Sequence, residues 1–135
     1  MSIQNGRAYV LVNVKSGTVL DLSGTDGQSM LQWILENNNN QWTFKNAGTG
    51  KFLGVAPGNV ENGHSVLASD SPVAWDIWPD DVDSSVYRIF VHGTKFNVDL
   101  SDHGNANNGT PVTLWGKWKG TNQTWRFVDG EILVI

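Results

Sequence analysis

The chain has 135 residues, enough for one domain with a substantial core, and its 9 Lys and Arg against 13 Asp and Glu leave a formal charge of −4, a balance opposed to gripping a phosphate backbone. It contains no cysteine, so neither a disulfide-stapled scaffold nor thiol chemistry is open to it. Residues 1–6 lack the basic start and apolar centre of a secretory signal, and no apolar run approaches the ~20 residues of a membrane span. The expectation is a cytoplasmic protein with no nucleic-acid partner and no membrane insertion.

Fifteen glycines and many Asn, Ser and Thr interrupt short apolar alternations, a pattern of strands and turns with no sustained helical period. In the first third, strands are predicted over 8–12, 18–21, 30–34 and 41–45, broken at Gly17, Ser23-Gly24, Asp26-Gly27 and 37–40. Shifting this stretch by 33 residues sets Asn13, Gly17 and Leu20 over Asn46, Gly50 and Leu53, and Trp42 over Trp75. A third copy aligns Asp99-Leu100 with Asp21-Leu22 and Trp125-Arg126-Phe127 with Trp42-Thr43-Phe44, with five extra residues between those anchors. Three units of roughly forty residues follow, at about 7–45, 46–79 and 86–128 of a single domain, 1–135. Four strands each make about twelve. A unit this small cannot bury its apolar face alone and open edges invite aggregation, so the predicted fold is all-β and closed: a β-trefoil with pseudo-three-fold symmetry. Trp42 and Phe44, Trp75 and Ile77, and Trp125 and Phe127 are expected in its core on alternate positions. Residues 80–85 read as a solvated linker. The apolar tail 131–135 reads as a last strand against 8–12, or as a patch at a homodimer contact.

The candidate site residues follow from the third unit. Asp99 ends an apolar run, Trp115 stands sixteen positions on, and Asn122-Gln123 begins seven positions after that. A carboxylate and a carboxamide can share the hydroxyls of one pyranose while a flat indole covers its apolar C–H face. The first unit carries a weaker set in Asp21, Trp33 and Asn39. In the second, Gly54 replaces the Asp and Pro72-Val73 the Asn-Gln. An Asp kept only to form a turn has no reason to vanish together with a distant Asn.

With three repeats, an Asp closing a strand, and Asn122-Gln123-Thr124-Trp125, the chain resembles the ricin B-type lectins, most closely the small single-domain mushroom members, over about residues 7 to 128. The resemblance implies a β-trefoil that binds terminal galactose or N-acetylgalactosamine in shallow pockets, with no metal, cofactor or catalysis. In the family motif an Asp accepts hydroxyl bonds, an aromatic stacks on the ring and an Asn completes the polar side. This assigns Asp99, Trp115 and Asn122 in the third unit, Asp21, Trp33 and Asn39 in the first, and no sugar in the second. Gln123 and Gln41 are secondary candidates behind the pockets, and His103 and Trp118 are secondary candidates in loops beside the third. The Asp-Leu-Ser-Gly phrase at 21–24 puts the first unit slightly ahead. The implied partners are glycans on glycoproteins or glycolipids, with avidity from two sites or a homodimer, in a fungal defence role. The rival is a β-trefoil protease inhibitor acting through loops such as 56–60 or 106–108. His64, His92 and His103 have no metal-ligand spacing, and no two acids stand out as a glycosidase pair.

Overall fold

The computed structural model describes residues 3–22 and 31–130. Ten strands lie there: β1 (Arg7–Asn13), β2 (Gln32–Asn38), β3 (Gln41–Asn46), β4 (Phe52–Val55), β5 (His64–Ser69), β6 (Trp75–Pro79), β7 (Tyr87–Val91), β8 (Phe96–Leu100), β9 (Val112–Gly116) and β10 (Trp125–Asp129). All pair antiparallel in one sheet, which closes because β1 pairs with β10, β10 with β7, and β3 with β6. The result is the predicted β-trefoil, with three long antiparallel strand pairs, the hairpins β2–β3 and β6–β7 and the pairing of β10 with β1, around a common core.

Each pair carries, near the start of its β2, β6 or β10 strand, a buried tryptophan followed two residues later by a buried apolar side chain: Trp33 and Leu35, Trp75 and Ile77, Trp125 and Phe127. This is the period-two alternation of a strand with one face in the core. Each indole N–H donates to a main-chain carbonyl in the second strand region of its own unit: Trp33 to Leu20 (3.3 Å), Trp75 to Leu53 (3.0 Å) and Trp125 to Val98 (3.2 Å). Phe127 packs edge-on against Tyr9 and Tyr87 and is tilted against Phe44, with centroids 5.3–6.3 Å apart, which ties the three units together at the axis.

This arrangement corrects the expected register. The counterpart of Trp75 and Trp125 is Trp33. Trp42 lies one strand later, on β3, only partly buried and paired with Trp75 across the β3–β6 contact. The units therefore run β1 to β2, β3 to β6 and β7 to β10. The reason is a short first unit. Thirteen residues separate Leu20 from Trp33, against 22 from Leu53 to Trp75 and 27 from Val98 to Trp125. The longer connections each hold a third strand, β5 or β9, whereas the described part of the first unit has only the Val12–Val19 bridge before β2. The strand expected at 30–34 is β2, starting at Gln32 and running on to Asn38; the expected breaks at Ser23-Gly24 and Asp26-Gly27 lie outside the described residues.

The 33-residue shift does hold at the opening of the first two units. Buried Asn13 and Asn46 each turn a side-chain oxygen onto the backbone N–H groups two and three residues on, at 3.1–3.2 Å, and Gly17 and Gly50 complete the turns with φ of 74° and 75°, a conformation glycine adopts without strain. The strand seen pairing along β1 on that side is β10, and the expected pairing of 131–135 lies outside the described residues. Among the described residues no helix is long and apolar enough to cross a membrane, and no cluster of three His, Asp or Glu could hold a metal.

Candidate functional site

Strand β8 sends Val98 and Leu100 into the core and Asn97 and Asp99 to the opposite face, where they pair with Trp115 and Thr113 of β9. The 3-10 turn Thr121–Gln123 then lays two carboxamides against Asp99. Gln123 donates Nε2–H to Asp99 Oδ2 at 2.9 Å, and Asn122 donates Nδ2–H to Oδ1 at 3.2 Å and to the Leu100 carbonyl at 3.1 Å. The sequence-predicted group Asp99, Asn122 and Gln123 is thus assembled in one place.

Behind it stands Arg88, 4% exposed. Its Nη1 donates to Gln123 Oε1 (2.8 Å) and Asn97 Oδ1 (3.2 Å), its Nη2 to the Trp118 carbonyl (2.8 Å), and its Nε to Asp80 Oδ1 (2.8 Å). Because the guanidinium takes the Gln123 oxygen, the Gln123 nitrogen must face Asp99. Asp80 is held in turn by the N–H groups of Val82 and Asp83 at 3.1 Å, so this part of the 80–85 segment is anchored rather than solvated. Burial works to raise the Asp80 carboxyl, but Arg88 and those N–H groups outweigh it and hold the pKa below the usual value. Sequence reasoning placed Asp80 in a solvated linker and passed over Arg88. The signal was a lone cation in the apolar run Val86-Tyr87-Arg88-Ile89-Phe90-Val91, which must find buried partners to be tolerated.

Burial raises the Asp99 pKa, opposed by the hydrogen bonds from Gln123 and Asn122. An aromatic beside Asn122 is Trp118. The ring lies over Gly120, where a Cβ would come within 2.2 Å of Cζ2 and 2.5 Å of Asn122 Oδ1. His103 meets it edge-on at 6.2 Å, from a tight turn, Ser101–Gly104, in which Asp102 and His103 take left-handed φ of 56° and 55°. Trp115, 43% exposed, stands diagonally from Asp99 across β8–β9, a spacing large side chains can bridge, but its ring leans on Gly63 of the second unit. Trp115 therefore flanks the site rather than closing it.

The first-unit set is assembled only in part. Trp33 is 2% exposed, largely in the core. Asn39 and Asn40, with φ of 55° and 64°, form the two-residue β2–β3 turn, a usual place for Asn. Five residues of β2 lie between Trp33 and Asn39, six steps along the strand or about 20 Å at ~3.3 Å per residue. Asp21 is exposed and lines the same cavity as Trp33, away from Asn39, and Gln41 begins β3 opposite Asn38. In the second unit Gly54 is required by close packing: a Cβ there would sit 2.6 Å from that of Ser69, so no carboxylate fits at that position.

A family model described as ricin-type beta-trefoil lectin domain-like matches residues 29–115. Among solved structures, a ricin B-like lectin of Macrolepiota procera, in complex with lactose, is 35% identical over 96% of this chain and 100% of that one, with a TM-score of 0.90. The Rhizoctonia solani agglutinin is 31% identical over 96% and 99%, with a TM-score of 0.84. The designed three-fold symmetric protein ThreeFoil, 21% identical over 90% and 98% with a TM-score of 0.79, shares the fold. No curated protein matches.

Proposed function

Since the chain belongs to the ricin B-type β-trefoil lectin family and is a carbohydrate-binding protein of that kind, we propose that it recognises terminal galactose or N-acetylgalactosamine through its third unit alone. The observation that carries this reading is the gathering of Asp99, Asn122 and Gln123 in the third unit, while in the first Trp33 is buried and Asn39 lies in a turn remote from it. Asp99 accepts from a pair of ring hydroxyls, Asn122 donates and accepts beside it, and an exposed indole covers the apolar sugar face. The lactose complex of the Macrolepiota procera relative supports a galactoside as the ligand.

One shallow site of this kind binds weakly, at about millimolar to high micromolar. Useful avidity then depends on pairing two chains, which keeps a homodimer in this proposal. Calorimetric titration with lactose and with N-acetylgalactosamine tests it: one site per chain is expected, abolished by Asp99→Ala and unchanged by Asp21→Ala. Binding that survives Asp99→Ala, or that falls with Asp21→Ala, refutes the assignment.

A further inference from the structure

The outer sheet face that carries Asp99 continues into the second unit. Register sets Asp99 beside Thr113 of β9, and Thr113 beside Ser65 of β5; residues paired in a ladder point to the same side of the sheet. Val66, next along β5, packs on the core, which leaves Ser65 outward and exposed. At strand spacings of ~4.8 Å, Asp99 and Ser65 stand about 10 Å apart, a distance for two linked pyranose rings rather than one. Trp115 borders this lane two residues along β9 from Thr113, 43% exposed, with its Cζ3 3.7 Å from the place a Cβ on Gly63 would take. Gly63 has φ of 86° in a turn closed by the His64 N–H on the Glu61 carbonyl at 3.0 Å. The same turn brings Asn62 beside Trp115, where its Oδ1 accepts from the Gly116 N–H at 2.8 Å. With the oxygen so engaged, the Nδ2–H donors are the open end of that carboxamide. The Trp115 backbone is fixed too: its carbonyl accepts from Asn97 Nδ2 at 2.9 Å, and Asn97 Oδ1 accepts from Arg88.

We infer that Trp115, Asn62 and Ser65 form a second subsite across the seam between the second and third units, which takes the sugar next to the terminal galactose. The inference rests on the galactoside reading and deepens it: the galactose sits at Asp99, and the next ring lies along the lane over Thr113. There the Trp115 indole covers its apolar face, while the Asn62 Nδ2–H donors and the Ser65 hydroxyl meet its hydroxyl groups. The second unit, whose Gly54 leaves no room for an acid, has no galactose site of its own and instead lengthens that of its neighbour. The ligand is then at least a disaccharide, and a lone galactose uses only half of the surface.

Two measurements on the whole chain decide the matter: calorimetric affinity for lactose and for methyl β-galactoside, and saturation-transfer NMR of bound lactose. Lactose should bind about fivefold tighter than methyl β-galactoside, the effect of one further stacked and hydrogen-bonded ring. Trp115→Ala, which removes the platform, and Ser65→Leu, which fills the far end of the lane with an apolar side chain, should each bring that ratio to about one. In the unaltered chain, saturation should pass to the glucose-ring protons of lactose as well as to those of galactose, a readout that needs no variant to fold. Equal affinities for the two sugars, saturation confined to the galactose ring, or a ratio that Trp115→Ala leaves unchanged because both sugars weaken together would overturn the subsite while leaving the galactoside reading intact. Absence of binding by lactose, methyl β-galactoside and N-acetylgalactosamine alike would instead overturn that reading, and the subsite with it.

Discussion

The first and third units share a plan and differ in one connection. Both place a tryptophan at the start of the closing strand and bond its indole to a carbonyl across the unit, yet the third spends 27 residues between those points and the first only 13. The extra length carries β9, the Trp118 loop and the turn bearing Asn122 and Gln123. Core geometry is set by the strands and survives shortening; the pocket is set by what is inserted between them and does not. The second unit makes the same point from the other side, since it keeps a third strand, β5, but packs Gly54 so tightly against Ser69 that no acid can stand there.

Tryptophan truncation should separate the two roles most strongly. Trp33→Ala removes a buried ring and is expected to cost about 3–5 kcal/mol, read as a large drop in the denaturant midpoint. Trp115→Ala, on the exposed rim, should stay within about 0.5 kcal/mol. Equal costs would mean that Trp33 is not the core counterpart of Trp125.

The ion pairs come next. Arg88→Met strands the buried Asp80 and Gln123 of the third unit and should lose about 3–4 kcal/mol, as expected for removing one partner of a buried pair. Arg7→Met breaks the half-exposed Arg7–Asp129 pair beside the first unit and should change stability by less than about 1 kcal/mol. A small effect at Arg88 would show that the third-unit frame does not depend on its cation.

The smallest effect is pH dependence, and the two buried acids of the third-unit network have opposite signs. The Asp80 pKa is lowered in the fold, so the stability it contributes is present above the unfolded value of 3.8 and is lost as pH falls through its folded value. Asp80→Asn should flatten that acid limb of the unfolding curve. The Asp99 pKa is raised, so its contribution to stability is present below 3.8 and is lost as pH rises through its folded value. Sugar binding that needs the carboxylate should therefore weaken on acidification while the pH is still above 3.8, and a flat binding profile down to that pH would remove Asp99 from the site.

The three-fold closure was legible because the Asn-x-x-x-Gly openings at 13–17 and 46–50 repeat in register and impose the same turn. The closing strand of the first unit was not. Trp33 and Trp42 both sit in alternating apolar runs, and period two shows that a strand has a buried face without showing which strand of the unit it is. With a short connection, the alignment slid by one strand and took Trp42 for Trp33. The polar half of the site, Asp99 with Asn122 and Gln123, could be read because strand end and turn lie at definite positions along the chain. The aromatic half was less legible: spacing favoured Trp115, which stands on the same face as Asp99 but leans its ring on Gly63, whereas Trp118 comes to Gly120 and Asn122 from a loop whose ring direction no periodicity encodes.

The short connection of the first unit also affects the order in which the chain can fold. Closing a loop costs entropy that grows with the logarithm of its length, about 0.6 kcal/mol for each doubling, so the Trp33–Leu20 closure over 13 residues is favoured over the Trp125–Val98 closure over 27. The seal between β1 and β10 joins residues as far apart as Arg7 and Asp129, 122 positions, and pairing that remote belongs to the slow regime of β proteins. The first unit is thus the one equipped to close first, and the third, with its Asp99 cluster, takes shape in the steps that finish the ring.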